Sequence, residues 1–66
     1  MLTTEFNYTA RTGELVLATM IVPTTKVFEA INLTQDYSRL LIAPDVEVNV
    51  TKVIEADTVI WKKDKT

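Results

Sequence analysis

The stretch LVLATMIV, residues 15–22, is apolar at both even and odd positions and is followed directly by Pro23. Side chains along a strand alternate between the two faces of a sheet, so a strand that is apolar on both faces has to be covered on both. Proline cannot donate a hydrogen bond to a neighbouring strand and marks the end of this one. We predict a strand over 15–22, with Val16, Ala18 and Met20 as candidate interface residues that are covered either by the rest of the chain or by another molecule.

The chain is too short to cover both faces of the strand over 15–22 easily with its own residues. Sixty-six residues form one domain, 1–66, and a chain of this size buries only about 60% of the surface that its unfolded form exposes. Cysteine and histidine are both absent, which removes disulfides and the commonest metal ligands as sources of extra stability. We expect no cofactor and no metal, and predict that the chain either packs unusually well or associates with a partner.

A hairpin is predicted near the C-terminal end, with a first strand that begins at Val46. The apolar residues are even-numbered from Val46 to Val50, and Val53 then changes the phase of the alternation. Either a β-bulge near Lys52 or a second apolar face at the hairpin tip explains this change. The partner strand, 58–62, is also apolar at both parities, which favours the second apolar face. The interface residues predicted in this hairpin are Val53, Ile60 and Trp61.

The segment between these strands is ambiguous. Residues 26–33 place apolar side chains on one side of a helix, with Thr24 or Thr25 as the N-cap. The same residues also fit a strand, but a strand would bury Glu29, so helix is preferred. Residues 34–36 fit the cap of a further helical turn that carries Tyr37, Leu40 and Leu41, or residues 39–42 form another strand.

The N-terminal part completes the predicted fold. Phe6 and Tyr8 alternate with polar residues, as in a strand with one buried face, and the turn that follows over 11–14 contains Gly13, which accepts a positive φ. We predict an α+β fold: a small, mainly antiparallel sheet of four or five strands with one short helix.

The order of these features resembles that of a known family. The chain has Gly13-Glu14-Leu15-Val16 where a glycine turn leads into an apolar strand, then Ile21-Val22-Pro23 before a short helix, and the segments 45–48 and 59–63. This order is similar to that of the AbrB/MazE-like swapped-hairpin transcription factors. The resemblance implies an obligate dimer that binds DNA through basic loops. The segment after Pro23, where that family places arginines for DNA, has Lys26 as its basic residue.

The residues that enzymes use most often are scarce in this chain. A nucleophile needs a base to activate it, and there is neither histidine nor cysteine. The oxygen-rich stripe formed by Asp45, Glu47 and Asn49 offers fewer ligands than calcium or magnesium requires, and the single glycine is too few for a phosphate-binding loop. We therefore predict a non-catalytic small binding protein that acts as a homo-oligomer, most simply a homodimer, or by binding a larger, unidentified protein.

The charge of the chain argues against nucleic acid as the main partner, because its net charge is −2 and nucleic-acid binders normally present a basic face. A short basic tail is predicted at 62–66. The alternative function is a small dimeric DNA-binding regulator of the swapped-hairpin type. Its candidate contacts are Arg11, Lys26, Arg39, Lys62 and Lys63.

The longest apolar run is also too short for the roughly 20 residues that span a bilayer, and no stretch resembles a signal peptide. We expect no membrane contact and a soluble, cytoplasmic protein.

Overall fold

The computed structural model of the chain describes residues 1–63 and has the predicted α+β fold. Four antiparallel strands form one sheet, and one helix packs on one of its faces. The elements are β1 (Leu2–Thr9), β2 (Leu15–Val22), α1 (Val27–Leu41), β3 (Asn49–Glu55) and β4 (Thr58–Lys62). The strand predicted over 15–22 is confirmed with the same bounds.

The sheet has the order β2-β1-β3-β4, so β1 and β3 are central and β2 and β4 are the edges. β1 and β2 form a hairpin in which Tyr8 pairs with Val16 and Leu2 with Val22. Its turn is closed by Gly13, which has a φ of +92° and whose N–H donates to the carbonyl of Ala10. The glycine turn predicted for residues 11–14 is therefore confirmed.

The ambiguous central segment forms one continuous helix of 15 residues. It includes both the part for which we preferred helix and the part left open between helix and strand, so the helix is longer than the short one predicted. The expected N-cap is wrong, because Lys26 is the N-cap and its side chain makes no capping hydrogen bond. Instead, the Thr24 hydroxyl accepts from the N–H of Lys26 at 3.2 Å and donates to Glu29, which ties the first turn to the residues before it.

The helix approaches the sheet through small side chains. Ala30, Thr34 and Ser38, spaced four residues apart, are all fully buried, because residues at this spacing share one side of a helix. The buried hydrophobic core beneath them consists of Leu2, Phe6, Val22, Ala30, Val50 and Val53. Partly buried residues such as Ile31, Leu33 and Tyr37 pack around it.

The change of phase in the C-terminal hairpin comes from two β-bulges. On β1, Glu5 pairs with Lys52 and Phe6 with Val50, so Thr51 is the extra residue. On β4, Trp61 pairs with Val53 and Val59 with Ile54, so Ile60 is the extra residue. The first bulge brings Val50 and Val53, of opposite parity, to the helix side, and the second places Val59 and Trp61, of the same parity, on opposite faces. Both explanations therefore apply: a bulge lies next to Lys52, and the tip of the hairpin also has apolar residues on two faces, with Val53 and Trp61 on the helix side and Ile54 and Val59 on the other.

The first strand of this hairpin begins three residues later than predicted, at Asn49 and not at Val46. The segment before it is held by the side chain of Gln35 on the helix. The amide nitrogen of Gln35 donates to the carbonyl of Val46 at 2.8 Å, and its oxygen accepts from the N–H of Val48 at 3.0 Å. These are the two bonds that a neighbouring strand would supply, so one side chain replaces strand pairing here.

Candidate interaction surface

Among residues 1–63, helix α1 covers one face of the sheet and no element covers the other, which we call the open face. Odd-numbered residues of β1 and β2 point to the open face, because their even-numbered neighbours are the ones packed against the helix. On β2 this places Leu15, Leu17 and Ile21 in water, with exposed fractions of 65%, 75% and 65%. Burial of such side chains favours association by roughly 1.5–3 kcal/mol each when complete.

The rest of the open face is mixed in character. One row across the four strands consists of Ile21, Thr3, Ile54 and Val59, and it is largely apolar. The next row contains Thr19 and three charged residues: Glu5, Lys52 and Lys62. In that row the Lys52 ammonium lies 3.9 Å from the Glu5 carboxylate. The apolar residues therefore concentrate along β2, and charge interrupts the centre of the sheet.

The backbone of β2 is also open on its outer side. The N–H of Ala10 donates to the carbonyl of Glu14 at 2.8 Å, which makes these two residues a hydrogen-bonded pair. Because such pairs alternate along an antiparallel ladder, Val16, Ala18, Met20 and Val22 direct their N–H and C=O groups towards β1. The odd-numbered residues 15, 17, 19 and 21 direct theirs outwards, where no strand of the described chain lies.

The outer side of β2 thus combines exposed apolar side chains with unpaired backbone groups on the same four residues. We call this surface, residues 15, 17, 19 and 21, the β2 edge. It contains no charged residue, no proline and no bulge, which are the devices that usually keep an edge strand from pairing with another chain.

The structure places the predicted interface residues mainly on the covered face. Ala18 and Met20 pack against the core, and Val16 on the same face is partly buried. Val53 is 0% exposed and lies in the core, so its cover comes from its own chain. Trp61 is partly buried against that core, and Ile60 is 41% exposed at the β4 bulge. Within the set predicted from sequence, Ile60 has the most accessible side chain.

The three most exposed apolar residues of β2, Leu15, Leu17 and Ile21, were missed. The sequence signal was present, since LVLATMIV is apolar at both parities and one parity had to face away from the helix. The pattern alone does not indicate which parity faces the helix. The predicted interface residues have the even parity, whereas the structure exposes the odd one.

The basic residues proposed as alternative nucleic-acid contacts are spread over the chain. Lys26 lies at the start of α1 and Arg39 in its last turn, about 20 Å apart along a helix that rises 1.5 Å per residue. Arg11 is in the β1–β2 turn, and Lys62 is the last residue of β4 on the open face. Lys63 hydrogen-bonds through its ammonium to the Asn49 side chain. Of the predicted basic tail, residues 64–66 lie outside the described residues.

Other types of site are not formed by the described residues. No three acidic side chains in 1–63 come together as metal ligands would. Within the same range, α1 is too short and too polar to cross a membrane.

An open groove of about 480 Å³ runs between α1 and the C-terminal hairpin and is lined by Phe28, Trp61 and Lys63 among others.

Comparison of the chain with protein-family models, with curated proteins and with solved structures finds no match.

Proposed function

We propose that this chain is a non-catalytic binding protein that acts through the β2 edge, either on a second copy of itself or on a larger protein. The observation that supports the proposal is the coincidence of Leu15, Leu17 and Ile21, each at least 65% exposed, with outward backbone groups of the same residues. An added strand can use both features at once, since main-chain hydrogen bonds provide affinity and the side chains provide apolar contact.

The balance of buried and exposed apolar residues supports the same proposal. Within residues 1–63, six hydrophobic side chains form the buried core, whereas ten large apolar side chains are exposed. Single exposed apolar residues are normal on a protein surface, but a contiguous row of them marks an interaction site. On β2, Leu15 and Leu17 are neighbours and Ile21 follows beyond Thr19, so three of the ten exposed apolar side chains lie along one edge. The other exposed apolar residues gather mainly at the two ends of α1, as with Phe28 and Leu40.

A binding role without catalysis is also supported by composition. The chain has no histidine and no cysteine to act as base or nucleophile. The cytoplasm remains the compartment that we propose for this activity, on the basis of the sequence.

The test compares two double variants that carry the same new charges at different places. Leu17→Lys/Ile21→Lys places two ammonium groups on the β2 edge, and Leu40→Lys/Leu41→Lys places them at the end of α1, where the side chains are 82% and 76% exposed. Each protein is measured by light scattering for self-association. Each protein is then immobilised and used to capture protein partners from an extract of its source cells.

We expect the wild type and the helix variant to associate with themselves or to retain a partner, and the edge variant to do neither. The proposal fails if the wild type is monomeric and retains nothing that the edge variant does not also retain.

A further inference from the structure

We propose that the occupant of the β2 edge is the β2 edge of a second copy, paired antiparallel about a two-fold axis that passes beside Ala18. The result is a continuous eight-stranded sheet with two helices on one face. This inference rests on the proposed function and specifies its partner.

The geometry of the strand determines which register is open to such a pair. Residues that oppose each other across an antiparallel ladder have side chains on the same face. In a symmetric pair of β2 strands, the numbers of two opposed residues therefore add up to a constant even number. The outward hydrogen-bonding groups belong to odd-numbered residues, so these must oppose one another.

The whole β2 edge is used in the register in which the numbers of opposed residues add up to 36. It opposes Leu15 to Ile21 and Leu17 to Thr19, and each of these pairs can exchange two backbone hydrogen bonds. A sum of 38 would oppose Leu15 to Pro23, which has no N–H to donate. A sum of 34 would oppose Ile21 to Gly13, which lies in the turn outside β2. In the register of 36, Ala18 opposes Ala18 of the second copy as a pair without hydrogen bonds.

Charge favours a second copy at the edge over a second copy stacked on the open face. Every residue of 15–22 is uncharged, so two β2 strands can approach without repulsion between like charges. Stacking two open faces would bring Glu5, Lys52 and Lys62 of both chains out of water, with one ion pair at 3.9 Å in each chain to offset the cost. Edge pairing leaves this charged row in solvent.

The side chains add to the contact on both faces of the sheet. In the proposed register, Leu15 lies beside Ile21 and Leu17 beside Thr19 on the open face, and Val16 lies beside Met20 on the helix side. Cross-strand neighbours of this kind stabilise a sheet pair by about 0.2–1 kcal/mol each. An edge contact is small next to a standard interface of about 800 Å² per partner, so we expect a dimer that forms and dissociates with concentration.

A disulfide trap tests both the pairing and its register, since the chain has no cysteine of its own. In Ala18→Cys the two new thiols oppose each other across a pair without hydrogen bonds, where Cα atoms are about 4.5 Å apart, within the range that a disulfide accepts. In the matched control Thr19→Cys, each thiol faces Leu17 of the second copy, and the two cysteines are diagonal neighbours at about 7–8 Å. Both variants are oxidised mildly at several protein concentrations after circular dichroism has confirmed that they fold.

We expect Ala18→Cys to form the covalent dimer at least about tenfold faster than Thr19→Cys, because only the first has disulfide geometry. We also expect wild-type protein to sediment as a monomer–dimer mixture, and Thr19→Lys, which brings two ammonium groups near the axis, to sediment as a monomer. Faster cross-linking of Thr19→Cys would overturn the proposed register. Wild-type protein that stays monomeric at every concentration would overturn self-pairing. In that case the proposed function would still stand if the wild type retained a protein partner that Leu17→Lys/Ile21→Lys did not retain.

Discussion

The hydroxyl oxygens of Thr4 on β1 and Thr34 on α1 lie 2.7 Å apart, and both side chains are fully buried between helix and sheet. Thr34 donates its only hydroxyl proton to the carbonyl of Ala30 at 2.8 Å, so Thr4 is the donor in the pair. The Thr4 hydroxyl has a second acceptor, the carbonyl of Met20, at 3.4 Å. This short polar chain fixes the helix over one position of the sheet.

Thr34→Val is expected to lower the free energy of unfolding by about 1–3 kcal/mol, because it leaves the buried Thr4 hydroxyl with only the long contact to Met20. Valine has nearly the shape of threonine, so packing changes little. The double variant Thr4→Val/Thr34→Val removes both partners and is expected to recover most of the loss. Urea unfolding of the wild type, of Thr4→Val, of Thr34→Val and of the double variant gives the coupling energy between the two side chains. A double variant that loses the sum of the two single losses would contradict the hydrogen-bonded pair.

Ser38→Ala is expected to stabilise the chain. The Ser38 hydroxyl is buried without a hydrogen-bond partner among the described residues, and alanine removes that cost while improving helix propensity by about 0.5 kcal/mol. We expect a gain of about 1–2 kcal/mol in urea unfolding. Ser38→Thr is the matched control, because it keeps the hydroxyl and adds a methyl group to a full site. A loss of stability in Ser38→Ala would show that the hydroxyl has a partner in solution.

Two turns differ in how well their residues suit a positive φ. Gly13 has a φ of +92° and Ala56, the first residue of the β3–β4 loop, has a φ of +52°. Gly13→Ala should cost about 1–2 kcal/mol, whereas Ala56→Gly should raise stability by up to about 1 kcal/mol, because a side chain is disfavoured in the left-handed region. Thermal unfolding followed by circular dichroism measures both changes. Ala10→Gly, at a negative φ, is the control and should destabilise. If Ala56→Gly destabilised by as much as Ala10→Gly, the positive φ at Ala56 would be wrong.

Much of the fold was accessible from local sequence patterns. The strand over 15–22, the turn at Gly13 and the α+β class follow from alternation, proline and glycine, which act over a few residues. The preference for helix over strand at 26–33 was right because Glu29 reaches water at the helix surface. These features depend little on the rest of the chain.

The features that were missed depend on long-range contacts. The change of phase at Val53 indicates a bulge near Lys52 as one of two explanations, but the presence of that bulge and of the second one at Ile60 depends on pairing with β1 and β3. The helix runs to Leu41 because Thr34 and Ser38 are buried against the sheet, although neither is a strong helix former. The face of β2 that stays open is likewise set by the position of α1. The apolar character of β2 could therefore be predicted from the sequence, whereas the identity of its exposed residues could not.

Hydrogen exchange at the amides of β2, measured by nuclear magnetic resonance over a range of protein concentrations, tests the central claim most directly. The amides of Val16, Ala18 and Met20 bond to β1 and should be protected at every concentration. We predict that the outward amides of Leu17, Thr19 and Ile21 exchange rapidly in dilute protein and become at least about tenfold slower as the dimer forms. Outward amides that exchange as fast as those of Arg11 and Thr12 in the turn at every concentration would contradict the claim.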